Sequence, residues 1–564
     1  MQLSSPAARP YWLLLAWFLL NAVQAAGTPL DPDETYYWKY AGALDWGYFD
    51  HPPAVALLVS IGRDWLPGAL GLRLGHVLAG TATVAALYHL LDRPRGRALT
   101  LAAVLIFAQP LLQVYGFIAT PDAPLLLFTA LYLIAYRAFL DRPGYWRGAV
   151  WGLTMTGLMY SKYHGAVVIF FSVLPNLPFL LRQPGAWLAA LGGAALFVPH
   201  LAWQYAHDFP SFRYHLAGRN ASYRPGFTFE YLGTQLVLFS PFLLYYYYLT
   251  FTRARTAGAF ARGCRWLVVG FLLFFLANTF KGRAEAHWTA AVSVPLVYLT
   301  YRAASGRPDW WRPLILLGLV TGAILVVARL LLLAPREWLP FSKPFDHAPW
   351  VRELAGRAGE RPVIIENSYR LASLYEFYSG GKPAYTLTDD AYRPNQYDLW
   401  RGDTAFLGDT VLMAGQANWS LPGTVPFHTQ KVDLLLRVIP DYQIGRLTQL
   451  TLATPPPTVL HRYDTTTVRI TAESPLPVNL RAAWKLRLFA VLVYPDGERE
   501  YFALSPLQVQ HLPAGHPVLL YEGPVRPPRG IEAGAARLNF ALGYAGMPPL
   551  RDQSPVYPVR VAEE

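Results

Sequence analysis

The residues best suited to chemistry sit in short polar segments between long apolar runs. The first segment is Asp31-Pro32-Asp33-Glu34-Thr35-Tyr36-Tyr37-Trp38, ending in Gly47-Tyr48-Phe49-Asp50-His51-Pro52-Pro53. Asp33 and Glu34 are adjacent, so on a helix their carboxylates diverge by about 100°. One can face a cavity while the other meets water or a metal. Tyr36, Tyr37, Trp38, Trp46 and Tyr48 suit stacking against a sugar ring, and they suit an interfacial aromatic belt equally well. On its own residues the segment has both readings, belt and active site.

Four further segments carry charge at the ends of apolar runs. Thr120-Pro121-Asp122-Ala123-Pro124 places an acid in the first turn of a helix. That acid either caps the helix dipole or serves as a second carboxylate facing the same cavity as Asp33. Ser161-Lys162-Tyr163-His164 separates two short apolar runs; the bland reading for Lys162 is snorkelling. Lys281-Gly282-Arg283-Ala284-Glu285-Ala286-His287-Trp288 is a dense polar turn, and Arg213, Arg219 and Arg224 lie in the long segment 206–230. Basic groups on the outward side of a membrane need a reason, and phosphate binding supplies one. No phosphate-cradling P-loop, zinc-protease helix or serine-nucleophile elbow is present. Asn220-Ala221-Ser222 and Asn418-Trp419-Ser420 fit the glycosylation triplet, a pattern common by chance.

The elements that must position these residues are membrane spans. The 564-residue chain is 53% hydrophobic and only 15% charged, with a mean hydropathy of +0.23. About eleven runs approach the roughly 20 apolar residues that a span needs, at 10–26, 69–91, 98–118, 122–140, 147–161, 164–181, 186–205, 230–251, 265–280, 287–303 and 312–334. Alternate loops hold Arg93, Arg95 and Arg97, then Arg137, Arg142 and Arg147, then Arg182, then Arg253 to Arg265, then Arg302 to Arg312. These read as cytoplasmic. The other set, which contains every segment described above, faces outward and carries the C-terminal region with it. The net charge of +12 is thus topological; no basic helix or aromatic-interleaved patch of the nucleic-acid type stands out. The first run has small residues at Ala25-Ala26-Gly27, as a cleaved signal would, but an uncleaved span fixes the acidic segment in place and is the preferred reading. The single Cys264 allows no internal disulfide and no thiolate metal site.

Beyond about residue 340 the spans stop. Val363-Ile364-Ile365 and Ala384-Tyr385-Thr386-Leu387 read as strands around a helix at 369–378. From about 455 the pattern is all β, with Val468 to Thr471, Arg487 to Val493 and Ala536 to Phe540 as strands and Pro495-Asp496-Gly497 as a hairpin turn. The expected organisation is a membrane domain over 1–338, an extracytoplasmic α/β module over 339–454 and a β-sandwich-like module over 455–564.

Together DETYYW, WGYFDHPP, TPDAPL, SKYHG and KGRAEAHWTA resemble one family, the bacterial glycosyltransferases that include the protein O-mannosyltransferases and the lipid A aminoarabinose transferase. The resemblance covers about residues 8–335. The stretch from Glu366-Asn367-Ser368-Tyr369-Arg370 to Asn395-Gln396-Tyr397-Asp398 resembles the soluble segment of the aminoarabinose-transferase branch; the tail after about 455 matches nothing recognisable. The resemblance implies the GT-C membrane fold, residence in the bacterial cytoplasmic membrane, and a polyprenyl-phosphate sugar donor used on its outer face. It implies a lipid, glycan or protein acceptor. By motif, Asp33 corresponds to the family's essential acid and would act as general base with inversion at the sugar carbon. Lys162, Arg213, Lys281 and Arg283 are candidates for the donor phosphate. Glu34 and Asp122 join Asp33 as catalytic candidates, and Tyr37, Asp50, His51, His164, Glu285, His287 and Tyr369 would form the acceptor and sugar site; Asp122, Glu34, His51, Glu285 and His287 could instead shape the acceptor site or hold a divalent ion, on which the family varies. Two other classes compete. A transporter would keep ionisable groups near the bilayer midplane, where only Arg73, His76 and Arg329 stand. An anchored binding protein would need one span.

Overall fold

A computed structural model describes residues 9–218, 223–253, 258–334, 338, 346–415, 423–461, 467–482, 484–551 and 553–562. Arg219, Arg255 and both glycosylation triplets lie outside the described residues. The chain divides into two compact units, Met1–Asp346 and His347–Glu564. The boundary expected at 338/339 falls where only Trp338 is described, and the one expected at 454/455 lies inside the second unit.

The first unit is helical. Its helices are α1 (Arg9–Gly27), α2 (Pro32–Ala41), α3 (Ala54–Arg63), α4 (Gly68–Leu90), α5 (Gly96–Phe107), α6 (Pro110–Val114), α7 (Asp122–Asp141), α8 (Tyr145–Ser161), α9 (His164–Val173), α10 (Leu177–Leu180), α11 (Pro184–Ala206), α12 (Pro210–Arg213), α13 (Pro225–Leu238), α14 (Leu244–Thr252), α15 (Ala259–Asn278), α16 (Ser293–Ser305) and α17 (Trp311–Leu333). Among the described residues five stretches are long and apolar enough to cross a membrane: α4, α7, α11, α15 and Pro308–Leu333. The count is six if Pro10–Gly27 and Pro32–Ala41, bent by 99°, form one span. The chain is a multi-pass membrane protein, but several of the eleven expected spans are divided. The run 98–118 breaks at Pro110, which cannot donate the backbone bond that would continue α5. The run 230–251 breaks at Ser240, whose φ is +61° and which precedes Pro241, a position where α geometry is disfavoured. Residues 164–181 break around Leu174–Asn176, and 287–303 opens as the 3-10 turn Ala286–Val292.

Packing between α8 and α11 depends on small residues. A Cβ at Gly148 would lie 2.1 Å from the Gly185 carbonyl oxygen, and one at Gly152 would lie 2.6 Å from that of Ala189. The backbones therefore touch, as membrane helices do where small residues meet. The two sets of loops occupy the two ends of α7. At its C-terminal end Arg137 pairs with Asp92 at 2.8 Å, and Arg302 reaches the same carboxylate at 3.5 Å. At its N-terminal end lie the polar segments described below.

In the second unit β1 (Val363–Glu366), β2 (Ala384–Leu387), β3 (Val411–Gly415), β4 (Val425–His428) and β5 (Asp433–Ile439) form a sheet in the order β2-β1-β3-β5-β4. β1 runs parallel to β2 and β3, with the helix Tyr369–Tyr378 as the crossover from β1 to β2. The remaining strands build a five-stranded sheet and smaller sheets. Within it Leu486–Val493 and Arg499–Leu504 pair as the hairpin turned by Asp496-Gly497. Asp398 closes a capping box with Asn395, accepting its N–H at 2.7 Å. Burial pushes its carboxyl up to about 6, against the opposing pull of the Asn395 and Thr388 hydrogen bonds and of Arg446 and Arg551. A folded-state value above the ordinary 3.8 means that the folded form holds this proton more tightly. The contribution of Asp398 to stability is therefore best near pH 4 and declines as pH rises to about 6. Asp398→Asn should flatten that decline, read as local hydrogen exchange at 395–400 across this pH range; an unchanged slope would contradict the assignment.

Candidate active site

The acidic segment is built around α2. Asp31 is the N-cap, its carboxylate accepting the Asp33 N–H at 2.9 Å, and Pro32 occupies the first turn. Glu34 completes a capping box by accepting the Asp31 N–H at 2.9 Å. Glu34 then does more. Its Oε1 accepts from Arg73 Nε at 2.7 Å and from the Ala119 N–H at 2.7 Å, and its Oε2 from Arg73 Nη2 at 2.5 Å. Arg73 also donates to the carbonyls of Ala25, Thr28 and Pro29. Both side chains are fully buried. One carboxylate thus ties the bend between α1 and α2 to α4 and to the turn before α7. Asp33, about 100° further round the helix, stays partly exposed.

The second acid is engaged as well. Both oxygens of Asp122 lie 2.9 Å from Lys162 Nζ, and both residues are buried. His287 Nε2 stands 4.0 Å from Asp122. The His287 ring is within Coulombic reach of Asp122, Lys162, Glu285 and Asp33. His164 is within reach of Lys162, His215, His287 and His51, and it packs against Phe275 and Trp288 at 4.8 and 5.5 Å. Residues from α2, the 45–53 loop, the starts of α7 and α9, the 210–218 segment and the 281–292 turn therefore converge. His215 was not among the residues singled out from sequence; nothing in its spacing marks it.

The 45–53 loop sits against α2. Asp50 Oδ2 accepts from Tyr36 and Tyr40 hydroxyls at 3.2 and 3.3 Å, and Tyr40 stacks on Tyr48 at 4.1 Å with ring planes 9° apart. Tyr37 lies 5.8 Å from the His51 ring. These aromatics are mostly buried, so Tyr36, Tyr37 and Tyr48 are packing and hydrogen-bonding groups of the site rather than an exposed belt, while Trp46 remains exposed.

The basic candidates divide. Lys162 is paired with Asp122. Arg283 forks onto both oxygens of Glu230 at the surface. Arg213 is 72% exposed and stands 4.0 Å from Asp208, away from this network. Lys281 is exposed and forms no ion pair among the described residues. Tyr369 belongs to the second unit, where it opens the helix after β1 with the guanidinium of Arg393 4.8 Å above its ring. Among the described residues no group of three or more His, Cys, Asp or Glu side chains is arranged to hold a metal ion, so Asp122, Glu34, His51, Glu285 and His287 do not form a ready-made ion site.

Comparison with known proteins follows the same lines. The chain superposes on ArnT from Cupriavidus metallidurans in the apo state with a TM-score of 0.60, at 13% identity, over 77% of this chain and 98% of that one. The fold is GT-C. The same protein bound to undecaprenyl phosphate matches this GT-C chain with a TM-score of 0.56 at 14% identity and the same coverage. Residues 50–203 match the family model for dolichyl-phosphate-mannose-protein mannosyltransferase. That span holds His51, Asp122, Lys162 and His164. No curated protein matches the sequence.

Proposed function

We propose that this protein is a membrane glycosyltransferase that moves a sugar from a polyprenyl-phosphate donor to a lipid, glycan or protein acceptor, on the outer face of the bacterial cytoplasmic membrane. The observation that carries the reading is the convergence of Asp33, the Asp122–Lys162 pair and His287 at one end of the bundle. It is supported by a fold shared with a protein solved with undecaprenyl phosphate. Asp33, the partly exposed acid of the pair, is the general base that takes the acceptor hydroxyl proton as that oxygen attacks the anomeric carbon from the face opposite the phosphate. The bond to the phosphate breaks with inversion. The leaving phosphate needs positive charge, supplied by Lys162 and Lys281, with Arg283 in support. Glu34 acts through Arg73 and the α2 cap and so positions Asp33. The modules 339–454 and 455–564 stand outside the membrane. The buried cations Arg73 and Arg329 are held by Glu34 and by Asn21, Gln24 and Gln113, as structural anchors rather than free ionisable groups.

Binding of undecaprenyl phosphate to the purified protein tests the donor side. Lys281→Ala should weaken it by about tenfold, the scale of one charge-assisted phosphate contact. Arg283→Ala should weaken it less, because Glu230 already holds that guanidinium. Unchanged affinity in both variants would refute the phosphate assignment.

A further inference from the structure

A buried hydrogen-bond relay joins the Lys162 turn to the 45–51 loop; both its ends lie on main-chain carbonyls of that loop, and its polarity is fixed at each. At one end His200 Nδ1 faces the Trp46 carbonyl oxygen at 2.7 Å. A carbonyl only accepts, so Nδ1 carries the proton. In the neutral ring Nε2 is then an acceptor, and the Tyr163 hydroxyl, 3.0 Å away, must donate to it. At the other end Ser211 Oγ lies 3.1 and 2.8 Å from the carbonyl oxygens of Tyr48 and Phe49, so it too must donate. Tyr163 and Ser211 have thus each spent their one proton and can only accept from Gln204. Its Nε2 meets Tyr163 at 3.0 Å and Ser211 at 2.8 Å.

This accounts for an otherwise puzzling atom. Gln204 is fully buried, and its Oε1 has no hydrogen-bond partner. An orphaned buried carbonyl is unfavourable, and turning the amide over would give it a partner only by taking the Tyr163 proton from His200 or the Ser211 proton from the Tyr48 and Phe49 carbonyls. His215 Nε2 adds a contact to the Asp50 carbonyl at 3.2 Å, and Trp203 Nε1 one to Asp45 at 2.8 Å.

We propose that Tyr163, His200, Gln204 and Ser211 are positioning residues: a one-way hydrogen-bond clamp that holds the 45–51 loop and, through the Tyr48–Tyr40 stack and the Asp50–Tyr36 bond, sets α2 and Asp33 against the Lys162 turn. The inference rests on the proposed role of Asp33, but the clamp itself is read independently of it.

The test is Gln204→Glu, which keeps shape and leaves at most one of the two donors, with Tyr160→Phe as control. Tyr160 bonds the Leu196 carbonyl between α8 and α11, and phenylalanine keeps its ring contacts with Trp46 and His200. In purified full-length protein, backbone exchange at residues 45–51 should rise in Gln204→Glu and stay unchanged in the control. In membranes that contain donor and acceptor, the rate of sugar transfer should fall by about 10- to 100-fold, the effect of a small misplacement of a catalytic group. Affinity for undecaprenyl phosphate should remain within about twofold, because the relay touches no phosphate ligand directly. Unchanged exchange at 45–51 would overturn the clamp, as would increased exchange spread along α8 and α11, which signals a packing defect. Raised loop exchange with full transfer would overturn its positioning role. A wild-type protein that transfers no sugar would refute the role of Asp33, while the exchange measurement still reads the clamp.

Discussion

Asp33→Asn will lower sugar transfer by about 10²- to 10⁴-fold, the usual range for loss of a positioned general base. The substitution is isosteric, and the N-cap and capping box of α2 are closed by other side chains. The cap is the Asp31 side chain, the box is closed by Glu34, and Asp33 enters that cap through its backbone N–H, which asparagine keeps. The variant should therefore insert, fold and bind undecaprenyl phosphate as the parent does, and fail only at the step that needs a base. Quantitative transfer assays on matched amounts of folded protein check this. Full activity would remove Asp33 from the mechanism.

Glu34 gives the contrasting result. Glu34→Ala leaves the fully buried Arg73 without its counter-charge, and breaking a buried pair on one side costs about 3–5 kcal/mol. Ala119 and Asp31 also lose the acceptor for their N–H groups. The expected outcome is a protein with a sharply lowered melting temperature and little yield, which loses activity because it loses the fold. Glu34→Gln with Arg73→Met removes both charges and should recover a large part of that stability without the full activity. Size-exclusion profiles after graded heating separate the cases. A single variant Glu34→Ala as stable as the parent would contradict the anchoring role. Adjacent carboxylates in one motif are thus distinguished by experiment: one is lost in rate, the other in folding.

The divergence of Asp33 and Glu34 was legible from their adjacency, and the segments at 120–124, 161–164 and 281–288 stood out as polar residues between long apolar runs. In the second unit, β1, the helix Tyr369–Tyr378 and β2 follow the sequence reading closely, since short apolar strands bounded by turn residues leave few alternatives. Partners distant in sequence were not legible. Nothing local ties Glu34 to Arg73, 39 residues away, or Asp122 to Lys162, 40 away. Arg73 was conspicuous as a cation in an apolar run, but its partner was hidden in the polar segment before it. The breaks inside the apolar runs were hidden for another reason. A hydropathy window averages over breaks made of apolar residues and proline, so the interruptions at Pro110 and Ser240 are invisible to it. The helix α3 is too short to span and was passed over, although it fixes the loop that follows α2.

The claim that this chain transfers a sugar from a lipid-linked donor is tested most directly by mass spectrometry of envelope glycolipids and glycoproteins. Three otherwise identical strains are compared: one with the intact protein, one without it, and one carrying Asp33→Asn. The account predicts one species heavier by a single sugar residue in the first strain and absent from the other two. Identical spectra in all three would contradict it.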